Sequence, residues 1–167
     1  MINLIKAELE KEIVKLESIK QNIKIDIVDC IQINDLTAFK SLLNVDKSSY
    51  IYIIKAKSAL NEETIKKGMD KAKDENYAMC RFNENNFKEN KENCLYVGSS
   101  HNLKKRIEEH LGSGGSSKTY AMHLSKWWEC GPITVTYYKV EDDKSLQLFE
   151  DILWNYYKPV LGRQGKK

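Results

Sequence analysis

A short strand followed at once by an amphipathic helix most constrains what this chain can fold into, and it occupies residues 94–111. Cys94-Leu95-Tyr96-Val97 predicts a strand that stops at Gly98-Ser99-Ser100, a turn that can also cap a helix. Leu103, Ile107 and Leu111 then recur at the i, i+4, i+8 spacing of a helix with one apolar face. A strand and a helix joined so closely predict a sheet covered by helices.

The remaining pattern extends this prediction to an α/β (α+β) domain with a small three-stranded mixed sheet flanked by helices. Two further strands are indicated by Ser49–Ile54, which is rich in β-branched and aromatic residues, and by Ile133–Val140, which alternates. Pro159 ends a last helix. Apolar periodicity predicts helices at about 61–75, 102–111, 118–128 and 144–158, with one or two short helices within 26–45.

Two segments fall outside that core and set the predicted domain organisation. Residues 1–47 are expected to form an N-terminal helical extension, and residues 48–167 the main domain, with an insertion at about 56–93. Within 2–23 a heptad repeat fits either a short coiled coil or a helix that packs on its own domain: Ile2, Leu9, Leu16, Ile23. The insertion includes the exposed, asparagine-rich stretch NENNFKENKEN, which predicts an element with its own role or a mobile arm.

Composition excludes several classes of protein and gives a mild indication of the partner. The 167-residue chain has no apolar run near the roughly 20 residues that cross a bilayer, and its charged N-terminus lacks a signal-peptide core, which predicts the cytoplasm. Its four cysteines include no C-x-x-C pair, which argues against a zinc knuckle. The net charge of +3 lies in residues 94–167, which hints at an anionic partner there. Only three arginines occur among the 27 basic residues: Arg81, Arg106 and Arg163.

Five side chains are the candidates for chemistry. Arg106 and His110 lie four residues apart on one helical face, where they could bind an anion and move a proton. Glu150 lies at the margin of an apolar stripe, where a carboxylate must be paired or hold a cation, and an oxygen ligand of this kind suits Mg²⁺. Tyr52 and Tyr96, in the first two predicted strands, become functional candidates only if they reach the same pocket as Arg106.

Together these residues resemble the GIY-YIG nuclease family over about residues 49–165. Tyr50-Ile51-Tyr52 and Tyr96-Val97-Gly98 are similar to its two tyrosine motifs, and LYVGSSHNLKKRIEEHL fits the second motif with its helix. FEDILWNYYKPVLG resembles the family's metal-binding helix and exit. Tyr50 replaces the usual first glycine, and Gly162 follows where an asparagine is common, a role that Asn155 or Gln164 could take over.

The resemblance implies an endonuclease that hydrolyses DNA with one divalent ion, Mg²⁺ or Mn²⁺, and a stand-alone restriction or phage-defence enzyme fits it best. It implies Glu150 as the metal ligand, Arg106 as the phosphate ligand, His110 as a neighbour that tunes a tyrosine, and Tyr52 ahead of Tyr96 as the general base. DNA is the expected partner, with Lys104, Lys105 and Lys118 on flanking phosphates, and a homodimer through the N-terminal helix or the insertion is a further expectation. The alternatives are a catalytically inactive nucleic-acid-binding module and a nuclease directed to branched DNA or RNA.

Overall fold

The computed structural model describes residues 10, 11, 13, 14, 17, 25–36, 45–114 and 116–165. Its centre is a four-stranded antiparallel sheet, in the order β1-β4-β2-β3. The strands are β1 Ile25–Ile33, β2 Ser49–Ala56, β3 Cys94–Ser100 and β4 Ile133–Val140. The α/β class with helices around a small sheet is confirmed, while the sheet has four strands rather than three and the pairings are antiparallel rather than mixed.

The extra strand, β1, overlaps the segment 26–45 that predicted short helices, and for residues 26–33 that prediction is wrong. Ile27 and Ile31 are four residues apart, a spacing that satisfies both a helix and the two-residue period of a strand. Pairing with β4 decides between the two, and Ile31 and Ile33 are buried whereas Gln32 between them is exposed. The predicted helical residues 37–44 and most of the heptad segment 2–23 lie outside the described residues.

Four α-helices lie around the sheet within residues 45–165 as the structure describes them, and the predictions for the three longer ones are confirmed. They are α1 Glu62–Asp74, α2 Glu84–Phe87, α3 Leu103–Leu111 and α4 Asp143–Tyr157. The expected helix at 118–128 is reduced to a 3-10 turn, Leu124–Lys126. There the His123 backbone is left-handed (φ 47°) and the Trp127 indole donates to the Met122 carbonyl at 2.6 Å, so tertiary contacts override the helical pattern.

A different layer of helices packs on each face of the sheet, and successive residues of β2 point alternately to the two layers. Tyr50, Tyr52 and Ile54 face the main core, which includes the buried residues of α1 and α3. Ile51 and Ile53 face the other side, where α4 packs through Leu146, Phe149 and Leu153: the strand alternation is therefore fully used, with both faces buried. Among the described residues, none of the helices combines the length and hydrophobicity of a membrane span.

The asparagine-rich stretch is a clamp on the chain after α4 rather than a mobile arm. The Asn83 side-chain amide donates to the carbonyls of Pro159 (3.3 Å) and Gly162 (3.0 Å), and Asn86 also donates to Pro159 (2.9 Å). Asn90 donates to the carbonyls of Cys94 and Lys158, both at 2.8 Å. These amides add to the backbone bonds that Val160 and Leu161 donate to β3, which together fix residues 158–162 beside that strand.

Candidate active site

The two tyrosines of the sheet form the floor of the candidate site. Tyr52 on β2 lies directly opposite Gly98 on β3, and Tyr96 precedes Gly98 by two residues, so both rings leave the same face of the sheet. The rings stack with centroids 6.0 Å apart and planes 9° from parallel. The structure therefore brings together the tyrosines that the sequence placed on separate strands.

Gly98 is required by this stacking. A Cβ atom at position 98 would lie 2.7 Å from the Tyr52 hydroxyl oxygen and 2.7 Å from Cε1 of Tyr96, which is closer than real Cβ contacts. Any other residue would push the two tyrosines away from their present positions. The glycine that ends the predicted strand is thus explained by close approach of the rings.

His110 holds the inner end of the site. It is fully buried, its Nδ1 accepts from the Met122 backbone N–H at 3.3 Å, and its Nε2 lies 3.0 Å from the Tyr52 hydroxyl oxygen. Burial, helped by the Arg106 charge, lowers the pKa of His110 well below 6.5, so the ring is neutral. A neutral ring that accepts at Nδ1 carries its proton on Nε2, and His110 therefore donates to Tyr52.

Arg106, one helical turn before His110, directs its guanidinium to the end of the site that opens to the surface beside Tyr96. Nη2 donates to the Tyr96 hydroxyl at 3.3 Å and to the Tyr120 carbonyl at 3.1 Å, and Nη1 donates to the Glu109 carboxylate at 2.8 Å. Burial works to lower the pKa of Arg106, but the neighbouring Tyr52 and Tyr96 and the bond to Glu109 raise it above its usual value, so the guanidinium stays charged. Three partners at three directions hold the guanidinium in one orientation.

The two tyrosines differ in access. Tyr52 is fully buried, whereas Tyr96 is only half-buried and lines an open cleft. Burial raises the pKa of Tyr52 well above 10, and burial also raises the pKa of Tyr96, while Arg106 works in the opposite direction at both. In the protein alone both hydroxyls therefore keep their protons at neutral pH.

Glu150 approaches this group from the other side of the sheet, on α4. It accepts a hydrogen bond from the Ser99 hydroxyl, next to Gly98 on the edge strand β3. Burial raises the pKa of Glu150, with Ser99 and the Arg106 charge acting against that rise. Its charge also acts on Tyr52 and Tyr96. Glu150 is thus electrostatically part of the site although it does not line the cleft beside Arg106.

The donor set around Glu150 fits only a weakly ligated, hard cation. Within the described part of the chain no three His, Cys, Asp or Glu side chains gather into a metal cluster. One carboxylate beside a serine hydroxyl supplies oxygen donors and leaves most positions to water, which is the coordination that Mg²⁺ accepts and Zn²⁺ does not.

The cleft beside Tyr96 has a volume of about 490 Å³ and contains all three arginines of the chain. None of the described residues that line it carries a carboxylate: its walls are Met79, Cys80, Arg81, Tyr96, Arg106, Tyr120, Gly162 and Arg163. The predicted phosphate-binding lysines, Lys104, Lys105 and Lys118, are exposed and line none of the described clefts.

Gly162 stands where the asparagine of the resemblance would be, and the structure gives a reason for glycine. Its φ is +99°, and a Cβ there would lie 2.7 Å from Cε2 of Tyr96. Of the two residues named as substitutes, Asn155 is exposed on α4, and Gln164 lines a neighbouring cleft with Arg81 and Arg163. Neither lines the Arg106 cleft.

Sequence reasoning missed two residues that orient the site. Glu109 lies three positions after Arg106, an ion-pair spacing that the helix prediction already contained. Ser99, the partner of Glu150, was assigned only to the turn after the strand, and the contact depends on the packing of α4 across β3.

Comparison with protein families matches residues 85–164 to the GIY-YIG catalytic domain. Comparison with curated proteins gives no match, and comparison with solved structures gives none either. The matched range contains Tyr96, Arg106, His110 and Glu150, whereas Tyr52 lies outside it on β2 and reaches the same group through the sheet. Residues 85–164 therefore form a GIY-YIG catalytic domain, and this match supports membership of the GIY-YIG nuclease family, which acts on nucleic acid.

Proposed function

We propose that this nuclease is a metal-dependent endonuclease that hydrolyses phosphodiester bonds of DNA, in a restriction or phage-defence role. The observation that carries the proposal is the Arg106 guanidinium, which stays charged, is held by three partners and donates to Tyr96 at an open cleft. A fixed positive fork beside a hydroxyl is suited to a phosphate and to the water that attacks it.

Arg106 would stabilise the charge that develops on the phosphate oxygens as water adds to phosphorus and the P–O3′ bond breaks. Of its five N–H groups, three bind Glu109, Tyr96 and Tyr120, so two remain for phosphate oxygens, and unlike a lysine ammonium they are held in a fixed plane. Glu109 acts through Arg106 as a positioning residue, because it binds Nη1 and fixes the direction of the remaining N–H groups.

The tyrosine that meets the attacking water is proposed to be Tyr96 rather than Tyr52, the residue that the resemblance favoured. Tyr96 lines the cleft and accepts from Arg106, while Tyr52 is fully buried beneath it. Both hydroxyls need additional positive charge before they release a proton. Tyr52 and His110 then act as positioning residues, since their mutual bond fixes the ring on which Tyr96 stacks.

Glu150, with the Ser99 hydroxyl beside it, is the proposed ligand of a single Mg²⁺ or Mn²⁺ ion. When bound, such an ion supplies the positive charge that neutralises the phosphate and the leaving oxygen. Ser99 holds the carboxylate toward the edge of β3, where its charge already acts on Arg106 and both tyrosines.

The test is digestion of supercoiled plasmid DNA with Mg²⁺, with Mn²⁺ and with EDTA, followed by mapping of the cut ends. We expect metal-dependent nicking or linearisation at fixed sites, which the Glu150→Ala variant lacks. Binding without cleavage in any metal would instead favour an inactive nucleic-acid-binding module. Preferential cleavage of branched DNA or RNA in the same assay would replace the restriction role with a structure- or RNA-directed one.

We also propose a homodimer, formed through the N-terminal helix or the insertion, as the form that cuts both strands of a symmetric site. Light scattering after size exclusion, with and without a DNA duplex, tests it. A mass near 38.8 kDa, twice the 19.4 kDa of the chain, is expected. A strict monomer in both conditions contradicts the dimer and leaves the proposed chemistry untouched.

A further inference from the structure

We propose that Arg81 and Arg163 bind the backbone phosphates of the substrate strand next to the scissile one, so that the strand runs from Arg106 along the exit segment after α4. This inference rests on the proposed function and adds two substrate-binding residues to it. It starts from the cleft of about 490 Å³ in which the two arginines join Arg106.

The charges in this cleft are unbalanced. Arg81 and Arg163 are exposed, and within the described residues neither guanidinium has an ion pair or a side-chain hydrogen bond. Arg106 is the only one of the three with a carboxylate partner, Glu109, among those residues. With no carboxylate among the described walls of this cleft, the two guanidinium groups repel each other, and an anion that bridges them offsets this cost.

The backbone holds the two arginines side by side. The Gly162 N–H donates to the Arg81 carbonyl at 2.8 Å, and Phe82 forms an antiparallel bridge with Leu161. Asn83 adds two side-chain bonds to the same exit segment, at Pro159 and Gly162. The arginines are therefore carried by a braced pair of segments rather than by free loops, which suits a binding surface that must keep its register with Tyr96.

A second cleft of about 510 Å³ continues from the first and shares both arginines. Its other walls are polar for the most part, with Asn85 and Gln164 among them, and its one described carboxylate, Glu84, pairs with Lys66 at 3.0 Å. Arg81 and Arg163 thus stand between two open spaces, with the Tyr96 and Arg106 site on one side. A phosphodiester strand has the required repeated negative charge, whereas a single small anion would use only one of the two spaces.

The test compares the double variant Arg81→Gln/Arg163→Gln with Lys57→Gln/Lys71→Gln, which removes the same charge from exposed lysines that line neither cleft. The probe is a fluorescein-labelled 30-base-pair DNA duplex in EDTA, titrated at several salt concentrations. We expect the slope of log K against log salt to shrink by about 2 for the arginine variant and much less for the lysine control. At 0.1 M salt, affinity should fall roughly tenfold or more.

Cleavage of plasmid DNA in Mg²⁺ gives the second readout. The arginine variant should raise KM with kcat within about twofold of wild type, because its arginines bind substrate and transition state equally. If the wild-type protein binds and cuts DNA and the arginine variant has the same salt slope and KM, this inference alone is overturned. A wild-type protein that neither binds nor cuts DNA overturns the proposed function itself.

Discussion

His110 donates from Nε2 to the Tyr52 hydroxyl oxygen, 3.0 Å away, and both side chains are completely buried. The Met122 N–H at Nδ1 fixes this direction, so the ring is locked in one neutral tautomer. A histidine that cannot accept a second proton without breaking a buried bond makes the fold itself sensitive to pH.

We therefore predict that stability falls as pH drops below 6.5. Burial lowers the folded-state pKa of His110 well below 6.5, so in this range the unfolded chain takes up a proton that the folded protein refuses. The contribution of neutral His110 to the free energy of unfolding is complete above pH 6.5 and declines by up to about 1.4 kcal/mol per pH unit below it. Urea unfolding at pH 7.5, 6.5, 5.5 and 4.5 measures it. His110→Gln should be less stable at pH 7.5, and its free energy of unfolding should depend less on pH below 6.5, by the equivalent of about one proton. An unchanged pH dependence contradicts the prediction that His110 is the group responsible.

The same bond predicts different results for the two tyrosines. Tyr52→Phe leaves the buried Nε2–H of His110 without an acceptor and should cost about 1–3 kcal/mol of unfolding free energy. Tyr96→Phe loses only a partly exposed bond from Arg106 and should cost less than about 1 kcal/mol, while cleavage falls by about 10²-fold or more.

Urea unfolding and plasmid cleavage on both variants separate these roles. Tyr52→Phe is also expected to keep a larger share of the rate than Tyr96→Phe when both are assayed well below their unfolding transitions. The reverse ranking of rates would return the general-base role to Tyr52, as the family resemblance suggests.

Arg106 and Glu109 predict a graded series. Arg106→Ala should reduce cleavage below detection, and Arg106→Lys, which keeps the charge but not the fork, should lose about 10²–10³-fold in kcat. Glu109→Gln keeps an acceptor for Nη1 and should lose much less than Glu109→Ala, which frees the guanidinium. Initial rates of plasmid nicking at saturating DNA measure the series; equal loss in both Glu109 variants would mean that its charge, and not its bond, matters.

How far the sequence predicts this molecule depends on whether a pattern has one structural solution. The strand and helix around Tyr96 and Arg106 were predictable because alternation and the Leu103 stripe each fit one geometry. The spacing of Ile27 and Ile31 fits both a helix and a strand, and only pairing with β4 selects the strand. The grouping of Tyr52 with His110 depends on contacts 58 positions apart, which no local spacing encodes.

The asparagine-rich stretch illustrates the same limit. Its composition predicts an exposed loop, yet Asn90 links two segments, because its side-chain amide donates to the carbonyls of both Cys94 and Lys158. Local composition contains no information about those distant acceptors.

Asn90→Ala should therefore destabilise the protein by about 1–3 kcal/mol, since the Lys158 carbonyl loses the Asn90 amide and the Cys94 carbonyl and N–H each lose one of two partners. Asn85→Ala is the matched control, because Asn85 is exposed and makes no side-chain hydrogen bond among the described residues. Its effect should stay within about 0.5 kcal/mol. Thermal and urea unfolding measure both variants, and equal stabilities of the two would show that the hydrogen bonds of Asn90 are not needed.

Gly162 and Gly131 provide a last prediction, which separates backbone strain from contact with the site. Both glycines have positive φ, +99° and +87°, but a Cβ at 131 meets nothing within 4 Å, whereas one at 162 lies 2.7 Å from the Tyr96 ring. Each Gly→Ala change should cost about 1–3 kcal/mol of stability from φ alone. Only Gly162→Ala should also displace Tyr96 and lower the rate of plasmid cleavage, by about tenfold or more. Equal activity in the two variants, assayed below their unfolding transitions, would mean that the position of Tyr96 is not set by the exit segment.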